Sequence, residues 1–239
     1  MENNKTVKIM TNKNENATFD VAGKSEAFFA KYRNVILGVV AAIVVVAAGW
    51  ACYTTFVSGP RADKASTALA RGQEYFNAEQ FDKALNGDGA GYVGFVKIAS
   101  DYSSTDAGNL ANLYAGLSYY YLGKAKEAVN YLEKYSPAGD AMVSPAAVAA
   151  LGNAYAAVGQ VDKAVSKLKD AASKADSKSK DGANNSLSPT FMLQAGVLLE
   201  SQNKTDEALQ IYQDIKKKYV NSTLVQSNEI DKYIERTTK

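Results

Sequence analysis

The fold is decided by two stretches of related sequence, AGLSYYYLGKAKEAVNYLEKY at residues 115–135 and LGNAYAAVGQVDKAVSKLKDA at residues 151–171. In each stretch a Gly is followed by a Tyr three residues later, a second Gly seven residues later and an Ala twelve residues later. Small residues at this spacing let two antiparallel helices approach closely, with the aromatic ring filling the space between them. The second Gly supplies the left-handed residue that ends the first helix. Each stretch therefore predicts a helical hairpin.

The same spacing occurs four times, which predicts four hairpins in a row. The Gly and Ala pairs are Gly72 and Ala84, Gly116 and Ala128, Gly152 and Ala164, and Gly196 and Ala208. The large residues between them are Tyr75, Tyr119, Tyr155 and Leu199, and the turn positions are Glu79, Gly123, Gly159 and Asn203. Four residues after the Ala come Asp88, Leu132, Leu168 and Tyr212. Ser-Pro pairs at residues 144–145 and 188–189 predict the starts of the third and fourth hairpins, with the Ser hydroxyl as N-cap.

This order of small, aromatic, Gly and Ala positions resembles the tetratricopeptide repeat (TPR), a helical hairpin with a period of about 34 residues. The steps from Gly72 to Gly116 to Gly152 to Gly196 are 44, 36 and 44 residues, so the chain carries insertions. We place them at residues 86–94, in the second helix of unit one, and at residues 173–188, whose polar composition is typical of a flexible loop. The resemblance implies an all-α, TPR-like helical-hairpin solenoid of about four repeats. Residues 223–236 are predicted to form its capping helix.

Residues 35–57, VILGVVAAIVVVAAGWACYTTFV, contain no charge and predict a single N-terminal transmembrane helix. As a helix the segment would span about 34 Å, against a hydrocarbon core of about 30 Å. A cleaved signal peptide is the main alternative, but 34 residues precede the segment and no small-residue cleavage site follows promptly. If the chain were a lipoprotein, Cys52 would be the lipid-modified residue. However, Trp50 lies at a position where a lipobox has a small residue. An uncleaved signal anchor is favoured.

Charge and cysteine usage suggest the sidedness of the chain. Residues 1–34 form a polar tail that is expected to be largely disordered and cytoplasmic, although the positive-inside rule barely discriminates here. Cysteine does not occur after Cys52, as expected of a domain that folds in an oxidising compartment. We therefore predict a single-pass protein of the bacterial inner membrane. Its N-terminus is cytoplasmic, residues 35–57 cross the membrane, and residues 58–239 form a periplasmic repeat domain.

The composition argues against catalysis. The 239 residues contain no His and one Cys, which excludes imidazole-dependent triads and cysteine-clustered metal sites. A net charge of +2 does not favour nucleic acid as a partner. The string Gly89-x-Gly91-x-x-Gly94 matches a dinucleotide fingerprint, but a helical pattern precedes it where a strand is required. We predict no enzyme activity, no catalytic residue, no cofactor and no metal.

The TPR resemblance also predicts a partner-binding groove along the first helices of the hairpins. Carried over position by position, the candidate residues are Leu69, Gln73, Phe76, Leu113, Leu117, Tyr120, Tyr121, Asn153, Leu193, Val197 and Glu200. Their mostly apolar and aromatic character suits a peptide or helix as ligand. The alternative is that the C-terminal helix of the chain covers part of this groove.

In layout, the chain resembles bacterial membrane-anchored repeat proteins of the ancillary Sec-translocon (YfgM-like) type. The resemblance implies a non-enzymatic protein-protein interaction scaffold or chaperone-like binder, associated with the translocon or with envelope assembly. Its partners would be proteins or peptide segments, with no nucleic acid and no small-molecule substrate. The alternatives are a structural oligomeric spacer of an envelope complex and a ligand-binding accessory domain of an envelope enzyme.

Overall fold

The computed structural model describes residues 30–238, and these residues fall into two compact units that divide after Pro60. In the first of these compact parts, up to Pro60, the described residues are helical and include a π-helical turn at Thr54–Ser58. In the described part of the chain, Ala30–Asn77 is the one helix long and apolar enough to cross a membrane, a finding that concerns length and composition alone. The predicted polar tail lies outside the described residues, except for residues 30–34, which are helical.

The described residues of the second compact part, from Arg61 onward, form helices and contain no strand, which confirms the predicted all-α solenoid. The helices are α1 (Gly59–Asn77), α2 (Phe81–Asn86), α3 (Phe95–Asp101), α4 (Asp106–Tyr121), α5 (Ala125–Leu132), α6 (Val143–Ala157), α7 (Val161–Ser177), α8 (Ser188–Ser201), α9 (Thr205–Lys218), α10 (Thr223–Gln226) and α11 (Glu229–Thr237). The four hairpins are α1 with α2 and α3, α4 with α5, α6 with α7, and α8 with α9. The predicted capping segment follows as α10 and α11, since Asn228, with a left-handed φ of 56°, separates two short helices.

The hydrophobic core follows the chain as three clusters of buried side chains. The first joins units one and two through Phe95 and Ala111, the second joins units two and three through Leu113 and Leu151, and the third holds Tyr212 and Ile230. Because each cluster draws side chains from neighbouring hairpins, every hairpin is stabilised by the next element along the chain, as expected of a solenoid.

The predicted close approach at the first Gly of each unit is confirmed, but a different side chain fills the space. A Cβ placed on Gly116, Gly152 or Gly196 would lie 2.5, 3.0 or 2.3 Å from an atom of Leu132, Leu168 or Tyr212. The residue four positions after the Ala therefore packs on the bare Gly, whereas Tyr119 is half-buried and stacks on Tyr131, with ring centroids 5.4 Å apart.

Unit one reaches the same packing by another route. Its second helix is interrupted at residues 87–94, as predicted. The hydroxyl group of Tyr92 occupies the space beside Gly72, because a Cβ atom placed on Gly72 would lie 2.2 Å from it. Asp88, which replaces the large apolar residue, accepts hydrogen bonds from the Ala90 and Tyr92 N–H groups at 2.8 and 2.9 Å. Its pKa is lowered by a hydrogen bond from Tyr75 and by these backbone donors. The Gly-rich string is thus a loop folded around a carboxylate, between two helices.

The four predicted turn positions all adopt left-handed backbone conformations. Their φ angles are 56° at Glu79, 73° at Gly123, 80° at Gly159 and 59° at Asn203. Only Gly adopts this region without steric cost, and Asn tolerates it better than other residues do. The turn of unit one, which carries Glu, is therefore the most strained of the four.

We expect Glu79→Gly to stabilise the repeat domain by about 0.5–1 kcal/mol, since relief of left-handed strain outweighs the extra flexibility of Gly in the unfolded chain. The thermal midpoint of the full chain in detergent should rise by about 1–4 °C. Gly123→Ala is the matched control: a Cβ there meets no atom within 4 Å, so its cost is conformational only, about 1 kcal/mol. Equal midpoints for the three proteins would contradict the assignment of strain.

The starts of the third and fourth hairpins differ from the prediction, because Ser144 and Ser188 are not the N-caps. α6 begins before Ser144, and its first N–H groups are bound by Asp140, whose Oδ1 accepts from Met142 N at 2.9 Å and Val143 N at 2.5 Å. A hydrogen bond from Ser144 and these backbone donors lower the pKa of Asp140 to about 2, against burial, which raises it. Both Ser side chains are instead buried against neighbouring carboxylates.

The polar stretch at residues 173–188 is more ordered than the predicted flexible loop. α7 continues to Ser177, and the nearly buried Asp176 ties its end to the following elements. Its Oδ1 accepts hydrogen bonds from Asn184 N at 2.8 Å and Ser188 Oγ at 2.6 Å. Its Oδ2 accepts from Lys218 Nζ at 2.6 Å and from Tyr219 Oη at 2.8 Å. The polar composition therefore reflects a hydrogen-bonded junction between the third and fourth hairpins.

Candidate partner groove

Several predicted groove residues lie together in a concave pocket of about 540 Å³ along the first helices of units two to four. Tyr120 comes from α4, Asn153 from α6, and Leu193 and Val197 from α8. The pocket also contains residues outside the candidate set: Ala156, Ala157, Gln194, Leu198 and Tyr233. Stacking of successive hairpins brings these helices side by side, so residues far apart in sequence share one surface.

A group of rings next to the pocket lies in units one and two, with Tyr120 and Tyr121 exposed and Phe76 and Phe81 half-buried. We call Phe76, Phe81, Tyr120 and Tyr121 the aromatic shelf. Phe81 and Tyr121 stack with centroids 4.9 Å apart, and Tyr120 and Tyr121 meet edge to face at 6.0 Å. Tyr121 is 60% exposed and Tyr120 is 37% exposed. Tyr120 belongs to both the pocket and the shelf, so the two adjoin at this residue, and we call them together the groove.

Other predicted groove residues contribute to the core. Leu69 and Leu113 are buried in the first and second clusters, and Leu117 is half-buried against the second. Gln73 donates a hydrogen bond from Nε2 to Tyr114 Oη at 3.0 Å. These four positions therefore offer a partner less surface than the prediction expects.

The C-terminal helix contributes to the wall of the pocket. Tyr233 of α11 lines the pocket, and Arg236 donates to Glu200 Oε1 at 2.7 Å. The hydroxyl of Tyr212 donates to the same oxygen. Burial raises the pKa of Glu200, but these hydrogen bonds outweigh it and the pKa is lowered overall. Glu200 therefore joins α8 to the C-terminal helix α11 through hydrogen bonds, and its Oε1 atom is not available to a ligand.

The pocket lining has no formal charge but carries one unsatisfied polar atom. Its residues are aromatic, aliphatic or amide-bearing, with no Asp, Glu, Lys or Arg among them. The Oε1 atom of Gln194 is buried and accepts no hydrogen bond from the residues that the structure describes. A buried acceptor without a donor is unfavourable, so this amide lowers the stability of the surrounding helices.

Sequence reasoning missed Phe81, Gln194 and Tyr233. Phe81 directly follows the strained turn of unit one, where a position rule for first helices does not reach. Gln194 lies next to the predicted Leu193, and Tyr233 belongs to the segment predicted only as a cap. Residues 30–238 contain no group of three or more His, Cys, Asp or Glu placed to hold a metal ion. The groove is thus a surface of rings, aliphatic side chains and amides, suited to noncovalent binding.

A second cleft, of about 720 Å³, lies where α7, α8 and α9 meet. Its volume exceeds that of the pocket in the groove. However, both acidic and basic side chains line this cleft, including Lys169, Glu207 and Asp214. Asp176 and Lys218 in its wall are bonded to each other. The groove is the better candidate for binding a protein, because its exposed apolar surface is extended and uncharged.

Four helical hairpins in series, with a groove along their first helices, define a repeat solenoid of the interaction-scaffold class. The chain belongs to the tetratricopeptide repeat-like domain family, which matches residues 26–230. Such folds are typically non-enzymatic interaction scaffolds.

Two solved structures of TPR-like repeats from a Podosopora anserina protein described as a kinesin light chain are similar to this chain. Each is 13% identical, covers 73% of this chain and 93% of its own, with TM-scores of 0.49 and 0.48. No curated protein matches the chain.

Proposed function

We propose that this protein is a membrane-anchored scaffold or chaperone-like binder that holds segments of other proteins in the groove. The observation that carries the proposal is that the exposed rings of Tyr120 and Tyr121 lie beside an uncharged pocket, which Tyr120 itself lines. Exposed aromatic side chains in contiguous apolar patches are typical of protein-binding surfaces.

The proposal places the domain in the periplasm, with residues 1–34 in the cytoplasm, residues 35–57 in the bacterial inner membrane and residues 58–239 outside. Apolar side chains along the described part of the anchor, such as Ile43, Val46 and Trp50, are exposed. Burial of such a surface in lipid would remove it from water. The layout resemblance to YfgM-like proteins supports the Sec translocon or envelope assembly as the setting, with exported proteins as clients.

Protease added to spheroplasts tests this topology. We expect it to remove residues 58–239 and to leave an epitope fused to the N-terminus intact. A cytoplasmic marker protein serves as the control for membrane integrity. Protection of the repeat domain until the membrane is lysed would reverse the orientation and make a cytoplasmic adaptor the better interpretation.

We expect Tyr121→Ala to weaken partner binding by about 1–3 kcal/mol, or about 5- to 150-fold, because its exposed ring contributes contact area at low entropic cost. Stability should change by less than about 0.5–1 kcal/mol, since the ring is mostly exposed. Met142→Ala, an exposed apolar residue outside the groove, is the matched control. The readout is photocrosslinking in native membranes from a crosslinker at position 120, with position 130 of α5 as the reference site.

The outcomes separate the candidate functions. Products that form at position 120 and disappear in Tyr121→Ala support a binding groove. A product that contains only a second copy of this chain would favour the oligomeric spacer. Equal crosslinking from positions 120 and 130, unaffected by Tyr121→Ala, would exclude the groove as the working surface.

A further inference from the structure

We infer that the cleft of about 720 Å³ between α7, α8 and α9 is a second docking surface, which binds a partner helix with charged side chains at heptad spacing. We call it the charged cleft and define it by Lys169, Met192, Glu207, Asp214 and Lys217. Most of its lining comes from the second helices of units three and four, whereas the groove follows the first helices. The two linings share no residue, so the inference goes beyond the proposed function.

The charged cleft has the shape of a channel between two helices. α8 packs against both α7 and α9, and its half-buried Met192 contributes to the lining. On α9 the lining residues are Glu207, Gln210, Ile211, Asp214, Lys217 and Lys218. Intervals of three and four residues correspond to one face of a helix, so α9 presents a continuous edge of about three turns to the channel.

Four charged side chains of the channel are exposed and form neither a hydrogen bond nor a salt bridge with the residues that the structure describes. They are Lys169, Glu207, Asp214 and Lys217. Because two are acidic and two are basic, a partner of a single sign would be repelled by half of them. A partner with both signs in the complementary order would be attracted by all four.

The lysines that would normally pair with the two acids bind α7 instead. Lys204, three residues before the first acid, donates to Asp162 Oδ1 at 2.9 Å. Lys218, four residues after the second acid, donates to Asp176 Oδ2 at 2.6 Å. Acids and lysines three or four positions apart stabilise each other on an isolated helix. These bonds between helices therefore leave both carboxylates of α9 available to basic side chains from another protein.

The separation of the two acids favours a helix as the occupant. Glu207 and Asp214 are seven residues apart on α9, which is about 10.5 Å along the helix axis. A helix that lies along α9 repeats its face every seven residues and matches this distance. In an extended segment, side chains on one face are about 6.8 Å apart, and 10.5 Å is not a multiple of that spacing.

The partner helix should carry two basic residues seven positions apart, facing Glu207 and Asp214, and an acidic residue three positions further on, facing Lys217. A second acid on its opposite edge faces Lys169, and an apolar residue between the edges contacts Met192. A helix of three turns is marginally stable in water, so the partner segment is expected to be helical already in its own protein.

The test uses the full chain in lipid nanodiscs and fluorescent peptides that are stapled as helices, with binding measured by anisotropy. The matched series carries the complementary order of Lys, Glu and Leu, in both chain directions. The swapped series exchanges every Lys with Glu, so its net charge is the same. We expect matched peptides in one chain direction to bind at least about tenfold more tightly than swapped ones, because the exchange places like charges in contact.

The double variant Glu207→Lys/Asp214→Lys should reverse this preference. Both residues are exposed, so the thermal midpoint should stay within about 2 °C of the wild type. The matched control is Glu74→Lys/Glu235→Lys, which changes the net charge equally at exposed positions outside the cleft and should keep the preference. In native membranes, products from a photocrosslinker at position 210 should disappear in the first variant and persist in the control.

Equal binding of the two series, binding of neither, or a preference that also reverses in the control would overturn the inference. Binding that survives a central Pro without the staple would indicate an extended segment, and products from position 210 that contain only a second copy of this chain would indicate an interface between copies. Either result would overturn it as well. Crosslinking from position 120 that depends on Tyr121 is independent of these outcomes, so the proposed function would stand.

Discussion

Replacing Tyr212 by Ala is expected to lower the free energy of unfolding by about 3–5 kcal/mol, as deletion of a fully buried aromatic ring does. Tyr212 is fully buried, and its ring packs on the bare Cα of Gly196. The ring also lies 5.3 Å from that of Tyr233, and its hydroxyl donates to Glu200. One side chain therefore joins the two helices of the fourth hairpin to each other and to the cap.

The measurement is the thermal midpoint of the full chain in detergent, which should fall by about 6–20 °C at 2–4 °C per kcal/mol. Tyr212→Phe is the matched control, and it should cost only about 0.5–1.5 kcal/mol because the ring remains and one hydrogen bond is lost. A double-mutant cycle tests the packing directly. Gly196→Ala should destabilise the wild type, where its Cβ would lie 2.3 Å from the ring, and should be neutral or stabilising in Tyr212→Ala. Additive effects would show that the ring does not require the Gly.

Replacing Asp176 by Ala is expected to cost about 2–5 kcal/mol, although no apolar side chain is removed. The substitution leaves the hydroxyl group of Tyr219 and the N–H group of Asn184 without their acceptor, at about 1–3 kcal/mol each. The hydroxyl group of Ser188 can still donate to Ala172 O at 2.9 Å. Lys218 is half-exposed, so its ammonium group can return to water and adds little. Asp162→Ala, at an exposed ion pair with Lys204, is the control, and it should cost about 0–1 kcal/mol. A similar midpoint for the two variants would contradict the role of Asp176 as a junction.

The same carboxylate predicts a pH dependence of stability. Burial raises the pKa of Asp176, but hydrogen bonds from Lys218, Ser188, Asn184 N and Tyr219 outweigh it, so the pKa lies below its ordinary value of 3.8. A lowered native pKa stabilises the fold at pH values above the unfolded pKa, and this stabilisation is lost as the pH falls through the native pKa. The difference in unfolding free energy between wild type and Asp176→Asn should therefore be constant above about pH 5 and shrink below about pH 4. A difference that grows on acidification would contradict this assignment.

The sequence alone predicted the hairpins, their number and their turns. These features depend on residues within one hairpin: a bare Cα at Gly116 that admits a neighbouring helix, and a left-handed turn at Gly123. The local spacing of small residues determines steric limits of this kind. Unit one keeps this spacing, so its hairpin could be predicted although its second helix is interrupted. The same local spacing placed Tyr120 and Val197 on one predicted surface, and both residues line the pocket that we propose as part of the groove.

Only the tertiary structure decided which of those positions is free to bind a partner. Leu113 and Glu200 follow the same position rule as Tyr120, but the neighbouring hairpin covers the first, and Arg236, 36 residues away, binds the second. Likewise, the sequence predicts that Asp176 belongs to a flexible loop. In the structure the hydroxyl group of Tyr219, 43 residues further on, donates a hydrogen bond to it. Exposure and hydrogen bonding depend on side chains that arrive from distant parts of the chain. The local pattern of the sequence specifies the hairpin, and the stacking of hairpins specifies the surface.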